Sequence, residues 1–395
     1  MHDAGMKSVL VDHAVVTQRR LLFVVNYPSF FLSHRLPIAQ KARLLGYDVH
    51  VATMPGPDAV KAIEHLGFVH HKLDLSPSGI NPLRELRSAF GLYRLFRKVQ
   101  PDIVHLVTIK PVVYGGIAAR LARIPSIVAA VSGLGYIFLA KGLKAKFLRA
   151  VAFILYRLAL RRPGTKVIFQ NPDDRNVLVR LGAIDRNQAI LIRGSGVDLS
   201  TNAHLAEKNG TPVVVMASRL LYDKGIREYV EAARIARQAG LHARFLLVGA
   251  PDVGNPASVS PTELESWKTD GVVECLGHRK DIALIFSTAN LVVLPSYREG
   301  LPKVLLEAAA CGRAVVTTDV PGCRDAICDG ETGLLVPAKN AQKLAEAIIR
   351  LINDSEERHR MGNAGRKLAE QEFAIERIVD AHLDVYASLA TNAAI

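Results

Sequence analysis

The sequence predicts two α/β domains, each a parallel sheet covered by helices, facing each other across a central cleft. Three observations lead there. Short β-branched apolar runs alternate with amphipathic stretches through the first half, as expected for interior parallel strands wrapped by helices. The same rhythm restarts after a polar stretch at residues 202–210. Charge also divides the chain: residues 1–200 carry 28 Lys/Arg against 12 Asp/Glu, and residues 201–395 carry 22 against 25. The halves therefore face different partners.

In chain order, residues 1–20 read as an extension before the first strand, with scattered charge and no apolar core of an export signal. Strands are expected at 21–26, 48–53, 103–107, 127–131, 166–169 and 190–192, and helices at 36–45, 83–98, 112–122 and 144–160. These build a first domain over 21–198. A second domain over 199–372 has expected strands at 213–217, 244–248, 272–275, 291–294 and 314–318. Its helices are expected at 225–239, 262–268, 280–287 and 302–310, with 251–261 as a surface loop. Helices at 342–353, 357–371 and 374–388 close the chain, and the segment 373–395 can cross back to brace the first domain.

Composition narrows the function. A chain of 395 residues, 49% hydrophobic and 22% charged, is globular and long enough for two cores. No run approaches the roughly 18 to 20 apolar residues of a membrane span. The best attempt, 143–162, is broken by Lys144, Lys146, Arg149 and Arg157. Four cysteines without CxxC spacing indicate structural thiols in a reducing compartment, with no zinc site and no disulfide framework. The basic first half suits an anionic membrane face. Nucleic acid is not expected, because no reading motif or aromatic-interleaved basic patch is present.

The most informative segment follows the strand at 291–294: Pro295-Ser296-Tyr297-Arg298-Glu299-Gly300-Leu301-Pro302-Lys303-Val304-Leu305-Leu306-Glu307-Ala308. A strand ends, a glycine turn follows, and a helix opens near Pro302, where proline is tolerated. The free N–H groups of such a helix can receive phosphate oxygens, and Gly300 allows close approach of a ligand. Glu299 and Glu307 beside a diphosphate are better suited to accept sugar and ribose hydroxyls than to carry protons. Phosphate donors lie upstream in Ser218-Arg219-Leu220-Leu221-Tyr222-Asp223-Lys224-Gly225, where Arg219 offers a charged fork and Lys224 a mobile point charge.

Glu299 and Glu307 in Glu-Gly-Leu-Pro-Lys-Val-Leu-Leu-Glu-Ala, together with Ser218-Arg219-Leu220 and Lys224-Gly225, resemble the retaining, nucleotide-sugar-dependent glycosyltransferase family four, whose two Rossmann-like domains form the GT-B fold. The resemblance implies a nucleotide-diphosphate sugar, expected to be a UDP-sugar, held by the second domain and an acceptor held by the first. It places Arg219 and Lys224 at the diphosphate, Glu307 at the ribose and Glu299 at the transferred sugar, with the Gly300, Leu301 and Pro302 backbone completing the pocket. Arg219, Lys224 and Glu299 thus become candidate catalytic residues. It also implies that no Asp-x-Asp metal site and no cofactor is needed. Asp173-Asp174 after Asn171-Pro172 reads instead as a helix start capping exposed N–H groups.

The first strand leads into Phe30-Phe31-Leu32-Ser33-His34-Arg35, with no glycine between Asn26 and Gly46. With Asp102-Ile103-Val104-His105, Lys110-Pro111 and Ser132-Gly133-Leu134-Gly135, this beginning resembles a branch associated with bacterial polysaccharide and lipid-linked oligosaccharide assembly. Candidate acceptor contacts are His34, Arg35, Lys110, Gly133 and Gly135. A capping and packing role competes for His34. His105 is a candidate for proton handling, and a buried structural histidine is the equal alternative. Gly194-Ser195-Gly196 marks the domain seam.

Leu143, Phe147, Val151, Ile154, Leu155 and Leu158 form an apolar helical stripe among Lys144, Lys146, Arg149, Arg157 and Arg161. It either seals the first core or lies on an anionic membrane. The expectation is a sugar transferase using an undecaprenyl-diphosphate-linked glycan at the cytoplasmic membrane face. A transferase with a soluble acceptor and a noncatalytic sugar-nucleotide-binding regulator are the competing readings.

Overall fold

The computed structural model describes residues 19–75, 82–134, 142–252 and 254–391. Gly135 and most of the N-terminal extension lie outside the described residues. The first sheet comprises β1 (Arg20–Val24), β2 (Asp48–Thr53), β3 (Val69–Lys72), β4 (Ile103–Val107), β5 (Ser126–Val131), β6 (Thr165–Phe169) and β7 (Ala189–Leu191). Its order is β3-β2-β1-β4-β5-β6-β7, with every pairing parallel. The second sheet comprises β8 (Val213–Ala217), β9 (Arg244–Val248), β10 (Glu274–Gly277), β11 (Leu291–Leu294), β12 (Ala314–Thr318) and β13 (Gly333–Val336). It repeats the pattern as β10-β9-β8-β11-β12-β13, again all parallel. Strand order reverses between β1 and β4 and between β8 and β11. Ligands of such sheets bind outside the carboxyl ends of the strands flanking that reversal.

β3 and β13 were not expected. Both are four-residue edge strands, and the exposed to half-exposed Val-His-His-Lys of β3 carries too little apolar pattern to be read as a strand. Helices Pro28–His34 and Pro57–His65 were also unexpected. Each starts on a proline, which suits a first helical turn.

Two crossings join the domains, and they hydrogen-bond to each other. Val197 N donates to Phe373 O at 2.8 Å, and Ile375 N donates to Val197 O at 3.0 Å. Gly196 has φ +79°, and a Cβ there would meet Ile375 Cδ1 at 2.7 Å, so glycine is required where the strands touch. The helix Ile375–Thr391 then packs onto the first domain, burying Ile378, Val379, Val385, Tyr386 and Leu389 with Phe23, Ile103 and Val107. Fully buried apolar side chains of this size are each worth about 1.5–3 kcal/mol, which fixes this helix to the domain it did not come from.

Candidate active site

β8 and β11 are neighbours at the reversal of the second sheet, so the segments leaving them meet. After β8 the chain makes a short turn, Tyr222–Lys224, and reverses at Gly225, whose φ is +74°. A Cβ on Gly225 would lie 2.1 Å from Pro295 O, so this glycine lets the Lys224 turn press against the exit of β11. Tyr297 N donates to Asp223 O at 2.8 Å, tying the two segments together.

Lys224 Nζ donates to Glu299 Oε1, which also accepts from Ser296 Oγ at 2.8 Å. Glu299 is further anchored by its own N–H to Pro321 O at 3.0 Å. Behind it sits Gly322 (φ +84°), where a Cβ would meet Glu299 O at 2.4 Å. Glu299 Oε1 is therefore gripped by an ammonium and a hydroxyl, and a carboxylate has a second oxygen that can accept hydrogen bonds.

The helix Lys303–Ala310 opens on Pro302, with no side-chain cap. Leu301 packs its side chain into the second core, so it can offer a ligand only its backbone. Glu307 and Arg219 share a cavity of about 460 Å³ with Ser218, Pro251, Asp252 and His278. Arg219 Nη1 lies 2.8 Å from Asp252 Oδ2 and remains 65% exposed. Glu307 lies 3.4 Å from Lys303 Nζ, and burial raises its carboxyl pKa while Lys303 partly offsets the rise.

The first domain closes over this turn. Asn171 Nδ2 donates to Gly300 O at 2.7 Å, and a Cβ on Gly300 would lie 2.3 Å from Ser132 O. Gly133, at φ +119°, is the facing residue: its own Cβ would approach Gly300 N to 3.4 Å. Arg298 pairs with Asp174, and Lys303 Nζ reaches Ser33 O at 3.4 Å. Tyr27, on the loop after β1, feels the charges of both Asp252 and Arg219, in addition to the burial that raises its pKa. The cleft is thus lined from both sides.

Among the acceptor candidates, His34 stands at this cleft. It stacks on Phe30 with centroids 4.1 Å apart and has Nδ1 2.6 Å from Ser33 Oγ. Burial, then Arg35 and Lys303, lowers its pKa to about 3, so it is a neutral imidazole at physiological pH. Lys110 pairs with Glu85 at 2.7 Å.

Two assignments are corrected. Arg35 is only 2% exposed and turned inward from the elbow between two helices, where Nη1 donates to His34 O at 2.9 Å, so it is not an acceptor contact. His105 is fully buried, stacked on Phe23, with Nδ1 2.5 Å from Tyr386 Oη. Alternation along β4 explains it: Ile103, His105 and Val107 face the C-terminal helix, and Val104 and Leu106 face the opposite core. The structural alternative for His105 therefore replaces proton handling. The cap of helix Pro172–Arg180 is also reassigned: the Asn171 side chain accepts from Asp174 N, freeing Asp173 and Asp174 to meet arginines of the second domain.

Comparison with known proteins fits this arrangement. Residues 200–368 match the family model "Glycosyl transferases group 1", and residues 20–171 match "Glycosyl transferase 4-like". The chain is 32% identical over 345 residues to the N,N'-diacetylbacillosaminyl-diphospho-undecaprenol alpha-1,3-N-acetylgalactosaminyltransferase of Campylobacter jejuni, covering 82% of this chain and 89% of that one. The chain belongs to the family-four glycosyltransferases. This transferase is also 26% identical to the UDP-Gal:alpha-D-GlcNAc-diphosphoundecaprenol alpha-1,3-galactosyltransferase of Escherichia coli, over 79% of this chain and 82% of that one. Its fold matches Anabaena Alr3699/HepE in complex with UDP-glucose with a TM-score of 0.74, 20% identity and coverage of 94% and 99%. The transferase has the GT-B fold, two Rossmann-like domains around a cleft.

Sequence reasoning missed Asp252 and Tyr27 as neighbours of Arg219, and Asn171 as a partner of Gly300. Their signal was positional: Tyr27 and Asn171 follow β1 and β6 closely, and Asp252 follows β9, all strand ends that open toward the cleft.

Proposed function

We propose that this glycosyltransferase retains anomeric configuration and moves a hexose or N-acetylhexosamine from a UDP-sugar to an undecaprenyl-diphosphate-linked glycan. The observation that carries the donor half is that Arg219 and Glu307 line one cavity, while Lys224, on the turn after Arg219, pairs with Glu299. Arg219 and Lys224 supply positive charge for the departing diphosphate, Glu307 suits the ribose hydroxyls, and Glu299 suits hydroxyls of the transferred sugar. With Glu299 already engaged by Lys224 and Ser296, a front-face transfer is favoured over a covalent intermediate. The acceptor oxygen bonds C1 on the face from which the phosphate oxygen leaves, and that oxygen takes the acceptor's proton. The pathway and lipid carrier are supported by the activities for which the relatives from C. jejuni and E. coli are named.

Membrane docking belongs to the same proposal. Phe147, Val151, Ile154 and Leu158 are exposed along one face of the helix Leu143–Leu160. Leu83, Leu86 and Phe90 are exposed on the helix Pro82–Val99, and both helices flank the helical segment 111–121. Among the described residues no helix is long and apolar enough to cross a membrane, so this surface suits peripheral contact at the inner face.

Screening nucleotide-sugars against lipid-linked acceptors, with linkage and anomer analysis of the product, tests the whole proposal. An α-donor giving an α-linked lipid product is expected. Transfer only to soluble sugars, an inverted linkage, or nucleotide-sugar binding without turnover would each replace a stated part of it.

A further inference from the structure

Asp173-Asp174, in the first turn of the helix that follows β6, is an acidic pair that the donor and acceptor roles leave unused. It stands two residues beyond the Gln170-Asn171 corner that covers Gly300. Each aspartate meets an arginine of the other domain. Asp174 pairs with Arg298, the residue before Glu299, and the two side chains are 1% and 14% exposed. Asp173 lies 3.6 Å from Arg324 at the solvent edge, where both are 40–45% exposed and Arg324 also pairs with Asp319.

Asp174 is more than one end of an ion pair. It accepts a backbone hydrogen bond from Leu134, the residue after Gly133, and its second oxygen lies 3.2 Å from Asn171 Nδ2. Asn171 Nδ2 in turn donates to Gly300 O. One carboxylate therefore ties together the Ser132–Leu134 loop of the first domain, the Asn171 corner and the donor turn of the second. We propose that Asp174 and Arg298 form a closure latch: their pairing on domain closure sets the Glu299–Gly300 turn against Gly133, making both positioning residues for transfer.

Physical chemistry favours a latch over a static brace. A buried ion pair gains little net stability over apolar packing, yet leaving one member buried alone is strongly unfavourable. Separation of the domains hydrates both partners, and closure restores both at once. The pair thus penalises half-closed states in which the turn is misplaced, and misplacement by about 1 Å can cost a hundredfold in rate.

The inference rests on the transferase reading, so wild-type turnover is measured first. Asp174→Asn and Arg298→Gln should each lower kcat roughly a hundredfold while leaving UDP affinity of the full chain and its melting temperature little changed. The double variant should be no slower than either single one, because the members act as a unit. Unchanged kcat, effects that multiply in the double variant, or loss confined to UDP affinity would overturn the latch. Asp173→Asn, at the exposed edge, provides a variant that keeps the buried pair and should show a smaller loss in the same direction. If the wild type transfers nothing, the function fails separately, and small-angle scattering with UDP reads the latch: Asp174→Asn should be more extended than wild type, and identical profiles would overturn it.

Discussion

Arg219 and Asp252 are joined by a 2.8 Å ion pair inside the cavity that also holds Glu307. In the proposed donor complex a diphosphate arriving there would compete with Asp252 for the guanidinium. Exposed pairs of this kind hold about 0.2–1 kcal/mol, so Asp252→Asn should tighten UDP binding by up to about fivefold. Calorimetric titration measures it. Weaker binding in the variant would mean that Asp252 orients Arg219 and does not compete with the ligand.

In the proposed transfer Lys224 has a double role, because its ammonium also pairs with Glu299, whose side chain is only 13% exposed. Lys224→Met should lower kcat by about 10²–10³, the scale of losing one donor aimed at developing charge. It should also lower the melting temperature, since Glu299 keeps only Ser296. Glu299→Gln in the same background removes the stranded charge and should recover the melting temperature without recovering turnover. Recovery of both would limit Lys224 to a structural role.

The placement of these candidates was readable because it is local: Arg219, Lys224 and Gly300 lie on the segments that leave β8 and β11, and Glu307 on the helix that follows, beyond apolar strands whose bounds the sequence shows almost to the residue. The failures arise from contacts distant in sequence. His105 resembles a reactive histidine until the helix Ile375–Thr391 is laid over β4, which brings Tyr386 and His382 against it from 277 or more positions away. Arg35 was misplaced by the unexpected helix Pro28–His34, which ends by turning its side chain inward. Asp173 and Asp174 looked like local caps because their arginine partners belong to the other domain.

Gly300 is a point of close approach between the domains. A methyl group there would overlap Ser132 O and Gln170 Oε1, at 2.3 and 2.5 Å. Both atoms belong to the first domain, so the overlap is made across the cleft. Gly300→Ala should therefore reduce kcat by roughly a hundredfold while the isolated step of UDP binding changes little. Rapid-equilibrium binding and steady-state rates separate the two. Equal losses in both would show that the methyl group damages the donor pocket itself.

The exposed face formed by Phe147, Val151, Ile154 and Leu158 gives a test of docking that leaves the donor pocket untouched. Phe147→Ser with Ile154→Ser should reduce sedimentation with anionic vesicles by at least roughly tenfold, from the apolar area lost. UDP binding should be unchanged. Added salt should weaken the wild type further, through its basic side chains. Equal sedimentation of variant and wild type would remove this helix from the membrane-facing surface.

The docking of the C-terminal helix should be acid-sensitive. His382 is 1% exposed, with Nδ1 2.7 Å from Ile378 O. Burial, and then Arg35, lowers its pKa to about 3. His105 is likewise held well below the ordinary histidine value by burial, Arg35 and His382. Arg35, Tyr386 and these two rings face one another, with Tyr47 beyond Tyr386. Because the folded values lie below the unfolded value near 6.5, the unfolded chain binds more protons under acid conditions. Stability is full above about pH 6.5 and is lost as pH falls from there toward the folded values. For His382 the loss at pH 5 is about 2 kcal/mol. Denaturant unfolding at pH 7.5 and pH 5 should show this loss, and His382→Asn should reduce the difference between the two pH values by a similar amount. An unaltered difference in the variant would place the acid sensitivity elsewhere.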